Sequence, residues 1–130
     1  MGFKKLPAAS GRTFGGLLQG VVCSITMAAR KPKLRIALGG DVARQLGWKR
    51  GHRIDVLIGD EEDEGRILLR AANAGGYVLN GRDDSEALSL VRSAWKGLPT
   101  SKRSGLLCEW RVDEGGLVVT LPDWPAPEAP

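Results

Sequence analysis

The stretch that decides the fold runs from residue 33 to residue 70 and reads KLRIALGGDVARQLGWKRGHRIDVLIGDEEDEGRILLR. Leu34, Ile36 and Leu38 alternate with polar or small residues, which predicts a half-buried strand. The same alternation returns at residues 54 to 58, and a shorter apolar run follows at residues 67 to 69. The predicted order is therefore strand, short helix, strand, strand.

A short helix is predicted between the first two of these strands. Val42 and Leu46 recur at helical spacing over barely two turns, Asp41 is placed to cap the start, and Gly47 is placed to end it. Because a helix this short is marginal alone, it must be stabilised by packing. We expect Leu46 and Trp48 to lie in the core, although a stacking surface for bases is an alternative role for the tryptophan.

The segment after the helix resembles a known family. Leu46-Gly47-Trp48 ends the helix, residues 49 to 52 (KRGH) form a turn, and residues 53 to 58 form a hydrophobic strand. This order is similar to that of the swapped-hairpin fold of AbrB-type regulators and MazE-type antitoxins (the SpoVT-AbrB type), over residues 24 to 71. The resemblance implies a homodimer in which hairpins of two chains interleave into one barrel-like body, and it implies binding to double-stranded DNA.

The predicted fold class is mainly β with short helices: a swapped-hairpin, β-barrel-like homodimer with a C-terminal helix and β-hairpin extension. A module of about 50 residues buries little surface alone, which independently favours a dimer. The domain boundaries follow from composition. Residues 1 to 20 are a flexible basic arm, 21 to 71 the swapped-hairpin DNA-binding domain, 72 to 122 the C-terminal helix plus hairpin, and 123 to 130 a Pro-rich tail.

The strongest helix signals lie at residues 84 to 96. Asp83 and Glu86 are spaced as a capping box, and Leu88 begins an apolar face at helical spacing. A strand through residues 87 to 95 is the competing interpretation, because Leu88, Leu90 and Arg92 also fit alternation.

Strand signals also occur on either side of this segment. Residues 21 to 27 and 77 to 79 are each predicted to form a strand. Near the C-terminus, residues 106 to 111 and 117 to 121 flank the sequence DEGG at 113 to 116, which predicts a hairpin.

The charge of the chain is unevenly distributed. The net charge is +4 at pH 7, yet residues 1 to 59 contain 11 Lys or Arg against 2 Asp, and residues 60 to 130 contain 8 against 13 Asp or Glu. A basic first half is typical of a protein with a polyanionic partner, most often nucleic acid. A merely solvated surface is the alternative.

Catalytic and metal-binding patterns are sparse. The sequence has no phosphate-binding Gly-Lys-Ser/Thr loop, no GxSxG and no His-Glu-x-x-His, and His52 is its only histidine. Cys23 and Cys108 have no partners at metal-ligand spacing, so we expect buried thiols, with a single disulfide as the alternative. The acidic run at residues 60 to 64 is interpreted as a solvated hairpin tip. We predict no enzyme activity, no cofactor and no metal.

Two groups of basic residues are the candidate DNA-binding site. The first surrounds the predicted turn before residue 34, and the second follows the short helix. Lysines of this kind neutralise phosphates, and arginines can also read guanine in the major groove. The predicted DNA-binding residues are Arg30, Lys31, Lys33, Arg35, Arg44, Lys49, Arg50 and Arg53.

The sequence therefore predicts a homodimeric DNA-binding protein, a transcriptional regulator of AbrB-like type. The alternative is a protein-interaction module, such as an antitoxin or adaptor, that binds a partner protein through its acidic second half. Lys4 and Lys5 precede an apolar run as in a secretory signal, but glycines and Gln19 interrupt that run. We accordingly expect a cytoplasmic protein without a membrane partner.

Overall fold

The computed structural model of the protein describes residues 19–59, 65–73, 75–81, 86–95, 97–113 and 116–122. Within these ranges it consists of strands and one helix. The elements are β1 (Val21–Ala28), β2 (Lys31–Leu38), α1 (Gly40–Leu46), β3 (Arg53–Ile58), β4 (Arg66–Ala71), β5 (Tyr77–Val78), β6 (Asn80–Gly81), β7 (Leu88–Ser93), β8 (Arg103–Asp113) and β9 (Gly116–Thr120).

All nine strands belong to one antiparallel sheet in the order β5-β3-β4-β9-β8-β1-β2-β7-β6. Three local hairpins, β1–β2, β3–β4 and β8–β9, are its building blocks. Long-range pairs join them, because β1 lies beside β8, β2 beside β7 and β4 beside β9. Strands from both sides of residue 71 therefore share the same sheet.

The two edges of this sheet are linked by a single residue. β5 pairs with β3 at one edge, β6 pairs with β7 at the other, and only Leu79 lies between β5 and β6. Leu79 is fully buried, and its N–H donates to the carbonyl of His52 at 2.9 Å. The guanidinium of Arg92 on β7 lies 5.7 Å from the ring centroid of Tyr77 on β5 and 4.9 Å from that of Trp95. The sheet thus curls into a nearly closed barrel, and we call residues 77 to 81 its closing segment.

The core fills the inside of this barrel, as the alternation in the sequence predicts. Leu34, Ile36 and Leu38 of β2 are fully buried, as are Ile54 of β3 and Leu69 of β4. Each such side chain contributes about 1.5 to 3 kcal/mol by leaving water. The predicted strand positions and the mainly β class are confirmed.

Helix α1 lies where the sequence predicts it, but its start differs in detail. Asp41 does not cap the helix; Gly39 is the N-cap residue and no side chain caps the helix. The Asp41 carboxylate instead accepts hydrogen bonds from the Gly20 N–H, at 3.0 and 3.2 Å. That contact fastens the start of β1 to the start of α1, which is why the aspartate is drawn away from its own helix.

The end of α1 follows the prediction closely. Gly47 adopts a left-handed conformation, with φ 74°, and its N–H donates to the carbonyl of Arg44 at 3.2 Å. The Trp48 N–H then donates to the carbonyl of Ala43 at 3.0 Å, the paired arrangement of a helix ended by glycine. Trp48 is only 7% exposed, so its predicted packing role is confirmed, whereas Leu46 is half-buried against the core.

The predicted helix at residues 84 to 96 is wrong for the part that the structure describes. Residues 88 to 93 form strand β7, which pairs along β2 from Lys33↔Ser93 to Leu38↔Leu88. Leu88 and Leu90 point into the core, as the competing strand interpretation requires. Pairing with β2 outweighs the local helix signals, because β2 would otherwise have a row of unpaired backbone groups.

Several predictions fall on residues outside the described ranges. These are most of the basic arm at residues 1 to 20, the acidic run at 60 to 64 and the Pro-rich tail at 123 to 130. The hairpin predicted near the C-terminus is confirmed in its strands β8 and β9.

Cys23 and Cys108 are buried, free thiols on neighbouring strands, as predicted. Cys23 pairs with Leu106 and Cys108 with Val21, so the two cysteines are diagonal neighbours on the inner face. A hydrogen bond with Cys108, together with burial, raises the pKa of the Cys23 thiol well above its usual value. The thiolate, which is the reactive form, is therefore suppressed in the folded protein.

This pKa shift predicts slow alkylation and a loss of stability at alkaline pH. At about pH 8, iodoacetamide should modify Cys23 far more slowly in the folded protein than in urea. Above the ordinary pKa of a thiol the unfolded chain releases the proton first, so the free energy of unfolding should fall as pH rises. A Cys23→Ala variant should lack the part of this pH dependence that comes from the Cys23 thiol. Equal alkylation rates in the folded and unfolded states would contradict the prediction.

Candidate nucleic-acid interface

Three of the predicted DNA-binding residues lie in a row on the outer face of β2. Lys31, Lys33 and Arg35 alternate with the buried Leu34 and with Pro32, so all three point away from the core. Strand geometry places successive members about 6.6 Å apart. We call these three residues the basic row.

Hydroxyl groups flank the basic row on both neighbouring strands. Lys33 lies opposite Thr26 of β1 and Ser93 of β7, and Arg35 lies opposite Ser24 of β1. The Lys33 ammonium donates to the Ser93 hydroxyl at 3.1 Å. Hydroxyls and cations together are the usual donors to DNA phosphates.

No acidic residue interrupts this surface within its three strands. The sequences of β1, β2 and β7 are VVCSITMA, KPKLRIAL and LSLVRS, which contain neither Asp nor Glu. The basic row is thus surrounded by neutral or cationic side chains on these strands, and its positive potential is undiminished there.

The end of the β1–β2 hairpin extends beyond both neighbouring strands. Pairing of β1 with β8 stops at Ile25, and pairing of β2 with β7 stops at Lys33. Residues 27 to 31 are all exposed, including Met27 at 42%. We call residues 27 to 31 the hairpin tip. It is a two-stranded ribbon, and within the part of the chain that the structure describes no strand pairs with either side of it.

The loop of the hairpin tip consists of Ala29 and Arg30. Ala28 pairs directly with Lys31, so the turn has only two residues. Both have positive φ, 53° at Ala29 and 66° at Arg30, and they are the only non-glycine residues in the described part of the chain that do. A two-residue hairpin with two left-handed residues is the geometry of a type I′ turn.

The other four predicted residues form a separate group around α1 and the start of β3. Arg44 donates to Glu86 in an exposed ion pair, and the Arg53 guanidinium donates to the carbonyl of Gly75 at 3.4 Å. Lys49 and Arg50 are exposed in the turn between them. This group follows Leu38, the far end of β2, which lies seven residues and about 23 Å along the strand from Lys31. The structure therefore unites Arg30 with the basic row but leaves the second group apart.

Sequence reasoning missed the hydroxyls of Ser24, Thr26 and Ser93 as parts of this surface. Ser24 and Thr26 alternate with the buried Cys23 and Ile25, so their outward position was readable from β1 alone. The place of Ser93 could not be predicted from sequence, because it depends on the long-range pairing of β7 with β2.

The opposite side of the barrel carries a different surface. Leu57, Leu68 and Val118 lie in register on the outer face of β3, β4 and β9. They line a groove of about 350 Å³, with Arg66 and Arg111 among its other lining residues. Arg111 pairs with Asp113 at 3.6 Å, so this groove combines apolar and charged side chains.

The chain matches no model of a known protein family, no curated protein and no solved structure. Among the residues that the structure describes, no helix has the length and apolar character needed to cross a membrane. The same residues contain no cluster of three or more His, Cys, Asp or Glu side chains suited to a metal ion.

Proposed function

We propose that this protein binds double-stranded DNA through the β1–β2 hairpin and acts as a transcriptional regulator. The observation that carries the proposal is the basic row on the outer face of β2, in which Lys31 and Arg35 are exposed and Lys33 is half-buried; β2 and its neighbours β1 and β7 contain no acidic residue. Phosphate neutralisation by such a row provides the affinity, and the flanking hydroxyls fix its register on the backbone. The resemblance of residues 24 to 71 to AbrB-type regulators supports the same function.

The proposed DNA-binding form is a homodimer. A dimer presents each basic row twice, which suits two half-sites on one face of the duplex. The core itself does not require a second chain, because β7, β8 and β9 complete it within one chain. Swapped hairpins remain part of the proposal as one way in which two such barrels could associate.

Duplex DNA titrations test the proposal directly. At about 50 mM salt, a fluorescent duplex should bind with an anisotropy change, and log affinity should fall against log salt with a slope of about −4 to −5. That slope corresponds to about five neutralised phosphates, which two copies of the basic row can supply. Sedimentation of the complex reports whether two chains are bound. A duplex that remains unbound at this salt concentration would refute DNA binding.

Protein binding is the second candidate function, favoured by the groove along Leu57, Leu68 and Val118. Trp95 and Trp110 are partly buried against the core, so the groove rather than these aromatic rings is the candidate contact surface. Failure to bind DNA, together with reduced partner capture after Leu68→Glu, would support this alternative.

A further inference from the structure

We infer that the hairpin tip enters the major groove of DNA and that Arg30 reads base edges there. This inference rests on the proposed function and specifies its binding mode. The major groove is about 12 Å wide and admits a two-stranded ribbon, whereas a sheet of more strands is too broad. Within the described residues of β1 and β2, the hairpin tip is the part in which the two strands lack further neighbours.

Arg30 is not a residue that stabilises this kind of turn. A left-handed backbone costs a non-glycine residue about 1 to 2 kcal/mol, and type I′ turns accordingly favour Asn-Gly. The chain has Ala29-Arg30 at these two positions, with φ of 53° and 66°. A long cationic side chain is therefore kept in this exposed turn at the expense of stability, as strained residues at binding sites commonly are.

The two faces of the hairpin tip differ in a way that suits a groove. Met27 pairs with Pro32, which gives one face an apolar character, and Ala28 pairs with Lys31 on the other face. Apolar side chains contact the methyl group of thymine, and an arginine at the end of the ribbon can donate two hydrogen bonds to O6 and N7 of guanine. The basic row, which starts at Lys31 and runs away from the tip, is placed to contact the phosphates bordering the groove.

This geometry favours DNA over duplex RNA. The major groove of A-form RNA is deep and narrow, so side chains on a two-stranded ribbon cannot reach its bases. A protein that instead used the basic row alone would bind both duplexes through their phosphates.

The deciding experiment uses Arg30→Gly with duplexes selected from a random library by the full-length protein. Glycine fits the positive φ, so the melting temperature should rise by a few degrees. Affinity for the selected duplex should nevertheless fall about 10- to 100-fold. Arg30→Lys keeps the charge and should lose the preference for the selected duplex while retaining affinity for random duplex. Arg70→Gln, on the outer face of β4, is the control and should change neither quantity.

A second experiment tests whether Arg30 enters the major groove of the DNA. Replacing guanine by 7-deazaguanine in the selected duplex removes the N7 acceptor and should weaken binding of the unmodified protein, but not of Arg30→Gly. Unchanged binding by Arg30→Gly, no effect of 7-deazaguanine, no selectable sequence, or equal affinity for duplex RNA would each overturn the inference and leave DNA binding in place. No binding of any duplex would overturn both.

Discussion

Replacing Ile36 with alanine should lower the free energy of unfolding by about 3 to 4 kcal/mol. Ile36 is fully buried at the centre of β2, paired with Cys23 of β1 on one side and Leu90 of β7 on the other. Removing its outer carbons leaves a cavity between three strands that are fixed by backbone hydrogen bonds and cannot collapse to fill it. Urea denaturation of both proteins measures the difference.

Val91→Ala is the matched control for this substitution. Val91 is 44% exposed on the outer face of β7, one position along from the core residue Leu90. The substitution removes a similar amount of side chain from the solvent side, so the cost should remain below about 1 kcal/mol. If Ile36→Ala cost no more than this control, β2 would not lie at the centre of the core and the strand order would be wrong.

Neutralising the basic row in both chains of the dimer should weaken binding to every duplex by about 10,000- to 100,000-fold at about 0.1 M salt, because about five phosphate contacts are lost. The variant carries Lys31→Gln, Lys33→Gln and Arg35→Gln together. Each lost phosphate contact removes about 0.9 from the log-log salt slope, which is close to a tenfold loss per contact at that salt concentration. Anisotropy titrations at several salt concentrations measure both the affinity and the slope.

A charge-matched variant separates this local effect from the loss of net charge. Arg66→Gln, Arg70→Gln and Arg111→Gln remove three positive charges outside the basic row: two lie on β4, four strands from β2 in the sheet, and Arg111 lies on β8 opposite Val118 of β9. Binding should fall only modestly and the salt slope should remain. If both triple variants lost affinity equally, long-range charge rather than the basic row would account for binding, and the proposed interface would be incorrect.

Sequence periodicity predicts the strands well because each strand buries one face. The alternation of Leu34, Ile36 and Leu38 depends only on which side of β2 faces the core, and that information is local. The Gly47 helix end is equally local, since a left-handed residue is needed where the chain turns toward Trp48. These features follow from a few adjacent residues, without knowledge of their partners.

The pairing of distant strands could not be predicted from the sequence. The helix signals before Leu88 are genuine, but they compete with a ladder along β2 that begins 50 residues earlier at Leu38. The candidate interface likewise combines features that are local in the sequence with features that depend on long-range pairing. The cations of the basic row were predicted from sequence, whereas the isolation of the hairpin tip and the position of Ser93 depend on where β7 and β8 end.

The closing segment has a consequence for the time course of folding. Its two halves pair with β3 and β7, which otherwise end the sheet on either side. Topologies dominated by such distant pairings fold on the order of milliseconds to seconds, much more slowly than helical bundles. Until residues 77 to 81 dock, both boundary strands offer unpaired backbone groups to any neighbouring chain. The interval before closure is therefore when newly made copies are most prone to aggregate, and mutations at Leu79 should lengthen it.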